Sequence, residues 1–209
     1  MNKNELFVLI ITLNIFFLIS CHSKQRSPER NKCTGNSIIK NIPEGDKDSA
    51  HIAIKDKIFK LANLPDLENG FDELQIRIWF AYSSTIENLL IFSKVNGKWE
   101  GSYNRLEFYY DSTSRQLTAI NRISKAFSPK SGWKLFTDSL AKLGLYNLPD
   151  RTAIPGYELE RDGHWIAVEF ADCKNYKVYR YQSPWGYQDK FPQAKQIVSI
   201  SKLIENEFG

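Results

Sequence analysis

Cysteine is scarce in this chain, with three in 209 residues, and histidine is equally rare. So few cysteines rule out a disulfide-stapled mini-scaffold, and without a CxxC pair there is neither a redox motif nor a zinc knuckle. No HExxH, no nucleophile elbow and no phosphate-cradling glycine loop occurs, so no specific catalytic mechanism is written in the chain. Charge of one sign is also missing: the net charge is only +4, spread thinly, which gives no footprint for nucleic acid. No cofactor motif and no metal-ligand spacing stands out. The longest apolar run, Leu6 to Ile19, is about 14 residues, short of the roughly 20 that a spanning helix needs.

What is present starts with that run. Lys3 precedes it, Thr12 and Asn14 alone interrupt it, and it ends on Leu18-Ile19-Ser20-Cys21. This is the order of a cleaved secretion signal. The last four residues resemble the lipobox of bacterial lipoproteins. That resemblance implies residues 1–20 as a signal peptide and Cys21 as the acylated first residue of the mature chain, carrying palmitate-type lipid. Each buried acyl methylene contributes about 0.8 kcal/mol, so two or three chains hold a protein at a membrane nearly permanently. The residues after Cys21, His22-Ser23-Lys24, include no aspartate next to the cysteine, which points to the periplasmic face of the outer membrane.

If Cys21 carries lipid, Cys33 and Cys173 are left as an even pair in an oxidising compartment, and a disulfide is the expectation. Two free thiols are the alternative, because spacing does not prove proximity. From His22 to about Gly45 the chain is polar, broken by Pro28, Gly35 and Pro43, and reads as a flexible tether over 21–45, leaving 46–209 as one domain.

Within that domain, Ile54, Ile58, Leu61 and Ala62 recur at helical spacing between Ser49 and Asn63, with Asp46 and Asp48 available as caps. Leu74, Ile76, Ile78, Phe80 and Tyr82 alternate with Gln75, Arg77, Trp79 and Ala81, as in a strand with one buried face. Asn96-Gly97 predicts a two-residue hairpin, which sets Lys94 opposite Trp99, Phe92 opposite Gly101 and Leu90 opposite Tyr103. The meander continues through Leu106, Phe108 and Tyr110, turns at 111–114, and ends with a strand from Leu117 to Phe127. Ser128-Pro129 then predicts a helix start, Trp133, Phe136, Leu140 and Leu143 form its stripe, and Gly144 ends it. A second meander is expected from Tyr157 to Arg161, His164 to Ala171 and Tyr176 to Tyr181, with Tyr157 opposite Val168. Pro192 opens a last helix striped by Ala194, Ile197, Ile200, Leu203 and Ile204. The expected class is α+β: antiparallel meanders covered by two or three amphipathic helices, in the order helix, meander, helix, meander, helix.

Two clusters bear on chemistry. Tyr181, Trp185, Tyr187 and Phe191 crowd a segment broken by Pro184 and Gly186, and such aromatics stack on sugar rings, anchor a protein partner, or close as a lid over the core. Glu158, Glu160, Asp162 and His164 lie close in sequence. They suggest either a solvated strand face or the acid groups of a hydrolase, with hard-cation binding a remoter option. His164 falls at a hairpin end, where a structural role is usual.

The lipobox, Leu148-Pro149-Asp150, Pro155-Gly156-Tyr157, Asp162-Gly163 and the tyrosine-rich strand running into Ser183-Pro184 together resemble small lipoproteins of Bacteroidetes-type bacteria. The likeness covers roughly residues 130–205, and its motifs are turns and strand edges. It implies an envelope address and brings no catalytic residue. The leading expectation is a membrane-anchored, non-enzymatic binding or assembly module with a glycan or envelope-protein ligand. The alternatives are a carbohydrate-active or other hydrolytic enzyme and a secreted inhibitor or immunity-type protein.

Overall fold

The computed structural model describes residues 33, 37–44, 49–81, 85–158 and 163–208. The element order is β1 (Ile39–Asn41), α1 (Ser49–Leu61), β2 (Leu74–Ala81), β3 (Ile86–Val95), β4 (Lys98–Tyr110), β5 (Leu117–Phe127), α2 (Trp133–Lys142), β6 (Trp165–Ala171), β7 (Asn175–Gln182), α3 (Pro184–Tyr187) and α4 (Pro192–Phe208). The fold is mixed α+β. One seven-stranded sheet runs β1-β7-β6-β2-β3-β4-β5, antiparallel except where β1 lies parallel to β7.

Local chemistry explains much of this. Asn96 and Gly97 take φ of 51° and 73°, the left-handed pair that a tight hairpin requires. The β3–β4 register follows from it, with Lys94 opposite Trp99, Phe92 opposite Gly101 and Leu90 opposite Tyr103. β5 completes the meander, and α4 spans the expected Pro192 stripe.

Two faces of the sheet carry two layers. On one, Ile76, Ile78, Phe92, Ile166, Val168, Tyr179 and Tyr181 pack against Phe136 and Leu140 of α2 and Ala194, Ile197, Ile200 and Ile204 of α4. On the other, Phe59 and Ala62, at the end of α1, pack with Leu64 against Leu89, Ile91, Leu106 and Phe108. Residues 31–209 form one unit containing all of these elements.

Three expectations change. α2 begins at Trp133, with Gly132 (φ 83°) at its N-cap, and not at Ser128-Pro129. The intervening residues are taken by the end of α4: the Ser131 amide donates to Glu207 (2.8 Å) and Lys130 Nζ donates to the Asn206 carbonyl (3.1 Å). Tyr157 does not pair with Val168, whose neighbours are Ile78 on β2 and Tyr179 on β7. β2, nearly ninety residues upstream, occupies that side of β6, so the two expected meanders merge into one sheet. Residues 159–162, which hold Leu159, Glu160, Arg161 and Asp162, lie outside the described residues, as do Asp46, Asp48 and Tyr82. Third, the stretch read as a tether contributes β1.

Candidate functional site

Cys33 and Cys173 form a disulfide that closes 140 residues of chain. Cys21 lies outside the described residues. Among the described residues, no helix is long and apolar enough to cross a membrane.

The four aromatics of the 181–191 segment are packed. Tyr181 has no exposed surface, and its hydroxyl donates to the Pro149 carbonyl at 2.8 Å. Ser183-Pro184 opens the one-turn helix α3, which folds Trp185 and Tyr187 down against the main core. Tyr157 is the centre they close on, with ring centroids 4.6 Å from Tyr187 and 5.3 Å from Phe191. Of the second cluster, Glu158 and His164 are exposed, while Glu160 and Asp162 lie outside the described residues.

A groove lies on the other face of the sheet. It is a half-open cavity of about 350 Å3 between α1 and strands β2, β3, β6 and β7. Strand alternation builds its floor: Trp79 sits opposite Ala167, and Ala167 opposite Arg180. The small Ala167 side chain leaves a hollow between the indole and the arginine. One row further along, Glu87 is opposite Ala81, and Ala81 is opposite Trp165. Lys55, Ile58 and Phe59 of α1 form the wall, and Ile42, Glu68, Glu169, Tyr176 and Val178 complete the lining.

Buried charge underpins this floor. Arg77 is fully buried, pairs with Glu169 at 3.2 Å, and donates to Gln75 (3.0 Å) and to the Pro65 carbonyl (2.6 Å). Glu169 also accepts from the Tyr176 hydroxyl at 2.9 Å. Burial, with the Glu169 charge beside it, pushes the Tyr176 hydroxyl far above the usual phenol range. Burial lowers Arg77, against the pull of Glu169. The Arg77 guanidinium lies over the Phe59 ring, 5.2 Å from its centroid, and Phe59 stacks on Trp79 at 6.3 Å. A fixed cation, a phenyl ring and an indole therefore hold one another in place. Trp165 is held similarly, with the Arg151 guanidinium 4.7 Å from its centroid.

The acidic groups of the groove differ in their engagement. Glu68 is tied to Lys55 and to Lys40, the latter at 2.9 Å. Burial opposes its charge, but those two lysines outweigh it and hold the carboxyl below its ordinary value. Glu87 is the contrast. Among the described residues its carboxylate has no hydrogen-bond partner; burial pushes it up to about 7, and Arg180 only partly counters this. A carboxyl changing charge near neutrality, inside an aromatic groove, is able to accept a hydrogen bond from a ligand, and such perturbed groups concentrate in functional sites.

Alternation assigned Gln75, Arg77 and Trp79 to the face away from the main core, and a tryptophan there was the available signal. The groove itself was invisible, because it requires β6 beside β2 and α1 laid across both. Comparison with protein families, curated proteins and solved structures finds no match.

Proposed function

We propose that this chain is a lipid-anchored protein of the bacterial envelope that works as a non-enzymatic binding module, with its ligand seated in the groove between α1 and the sheet. The observation carrying the reading is the half-open cavity of about 350 Å3 lined by Trp79, Trp165 and Glu87. Its size falls within the range of small-molecule sites, about 300–1,000 Å3, and its lining follows their usual pattern of apolar walls with a few convergent polar groups. The aromatics at 181–191 are spent on packing, and this favours the groove over that segment as the binding surface. The Cys21 motif and the apolar leader support the address, as does the likeness to small lipoproteins of Bacteroidetes-type bacteria. The disulfide fits an oxidising compartment.

Two measurements test this. Intact-mass analysis of protein from its host is expected to give a chain starting at Cys21 with fatty acids attached; a species starting upstream, or without lipid, removes the address. For the groove, the double variant Trp79→Ala, Trp165→Ala is expected to lose envelope ligands captured by crosslinking while keeping the wild-type circular dichroism. Full retention of those ligands by the folded variant removes the groove as the binding surface.

A further inference from the structure

The hollow in the groove floor has a definite width. Trp79, Ala167 and Arg180 stand in one row on β2, β6 and β7, so two strand spacings, about 9–10 Å, separate the backbones of the tryptophan and the arginine, with only a methyl group between them. Glu87 and Trp165 stand in the next row, on either side of Ala81. Both indoles are braced. Phe59 stacks on Trp79 at 6.3 Å, and the Arg151 guanidinium, which lies outside the cavity lining, sits 4.7 Å from the centroid of Trp165. Side chains fixed in this way receive a flat ring with little further loss of rotamer freedom.

The polar lining is largely spent inside the protein. Glu68 is tied to Lys55 and to Lys40, Glu169 accepts from Arg77 and Tyr176, and Arg180 is engaged within the chain. Of the lining carboxyls, Glu87 is the one without a hydrogen-bond partner among the described residues. A polyhydroxylated ligand brings several donors and acceptors, and one carboxyl cannot answer them all, so the remainder would be desolvated unpaired. A purely apolar ligand leaves Glu87 itself in that position. Given that the groove is a binding site, on which this step rests, we infer that the ligand is a small planar aromatic molecule carrying one N–H or O–H donor, an indole or a phenol, with its ring in the hollow over Ala167 and its donor on the Glu87 carboxylate.

The test uses the full-length protein in detergent, with protein-free micelles as the blank for partitioning. Indole and phenol, their methylated counterparts 1-methylindole and anisole, and cellobiose are titrated at pH 8 by calorimetry. Saturable binding of indole or phenol is expected, about tenfold or more tighter than that of the counterpart without the donor, because a hydrogen bond to a charged acceptor is among the strong ones. Glu87→Met, close in shape and with only a weak thioether acceptor, is expected to shrink that ratio to about threefold or less; Trp79→Ala is expected to weaken all four ring compounds about tenfold. Glu87→Met opens no void, so it remains informative if Trp79→Ala folds poorly. A ratio that Glu87→Met leaves unchanged, or a methylated ring that binds the wild type as well as its parent, overturns the donor contact. Cellobiose binding that depends on Trp79, with the ring compounds inert, overturns the aromatic class and leaves the groove standing. Silence from all five probes also overturns the aromatic class, and the groove is then judged on the Trp79→Ala, Trp165→Ala variant: loss of the crosslinked envelope ligands keeps it, and full retention removes it.

Discussion

Glu87 is the residue whose environment sets a measurable pH dependence. Its carboxyl is raised from the ordinary 4.5 to about 7 by burial, so the folded chain holds that proton more tightly than the unfolded chain does. The sign follows from linkage. Below about pH 4.5 both states are protonated and the group costs nothing; as pH rises towards 7 the unfolded state ionises first, and stability falls. A tenfold difference in proton affinity corresponds to about 1.4 kcal/mol, and partial solvent access reduces the effect, so the loss is about 1–3 kcal/mol. Urea denaturation of wild type and Glu87→Gln at pH 5 and pH 8 is expected to show the variant gaining on the wild type by that amount at the higher pH. A difference that stays constant between the two contradicts it. Arg77 belongs to the same scale. Removing one member of a buried pair leaves the other charge unmatched, so Arg77→Met is expected to cost about 3–5 kcal/mol through the stranded Glu169. Glu169→Gln at the same site is expected to cost a comparable amount, because it strands the buried Arg77 charge and its single amide oxygen cannot accept from both Arg77 and Tyr176 as the two carboxylate oxygens do.

At the scale of elements, the β3–β4 hairpin shows what a turn can and cannot settle. Asn96-Gly97 fixes which residues face one another, and Gly101 lands opposite Phe92 and Phe127. Only the tertiary packing explains why glycine is needed there. A methyl group at 101 would come within 2.6 Å of the Phe127 ring and 2.7 Å of the Trp133 ring. Those rings belong to a cluster in which Trp133 stacks on Trp99 at 6.0 Å and Phe127 meets Phe208 at 4.2 Å. Gly101→Ala is expected to destabilise by about 1–3 kcal/mol through overpacking. Near-ultraviolet circular dichroism is expected to lose aromatic signal from the cluster, and an unchanged midpoint would argue against it. The docking of α1 has a related logic. Arg122 on β5 donates to the carbonyls of Ala62 (3.2 Å) and Asn63 (3.3 Å), and Arg77 on β2 to that of Pro65. The last-turn carbonyls of Ile58, Phe59 and Lys60 are met by backbone amides, and those of the turn just past α1 by cations from the sheet, where the helix dipole favours positive charge. The wall of the groove is positioned by those bonds.

For the whole molecule, the disulfide governs the relation between the early chain and the sheet. Cys33 is tied to Cys173 in the turn between β6 and β7, and a few residues later β1 runs parallel to β7. Closing 140 residues restricts the unfolded chain, which the chain-entropy account values at about 2–5 kcal/mol. Reduction, or the double variant Cys33→Ser, Cys173→Ser, is expected to lower the thermal midpoint by several degrees. Hydrogen exchange is expected to rise first in β1 and to leave β3 and β4 as protected as before. A reduced protein with an unchanged midpoint would show that the bridge adds nothing to stability.

Periods of two and 3.6, a left-handed turn pair and a small set of caps are local properties, so the sequence by itself determined the α+β class, the β2 strand, the β3–β4 register and the stripe of α4. The resemblance of Leu18-Ile19-Ser20-Cys21 to a lipobox is legible for the same reason, because it lies in a linear string of residues. Which strands become neighbours is not local. β6 pairs with β2 across about ninety residues of chain because both bury the same apolar row against α2 and α4, and no turn records that choice. The candidate site follows from that pairing, since Trp79, Glu87, Trp165 and Arg180 come from four strands and meet only once those strands are ordered and α1 is laid over them. The aromatic segment at 181–191 was legible from its composition as either a surface for partners or a lid over the core. Only the tertiary structure shows its rings packed against Tyr157 and the core beneath it, where they leave water for apolar contact.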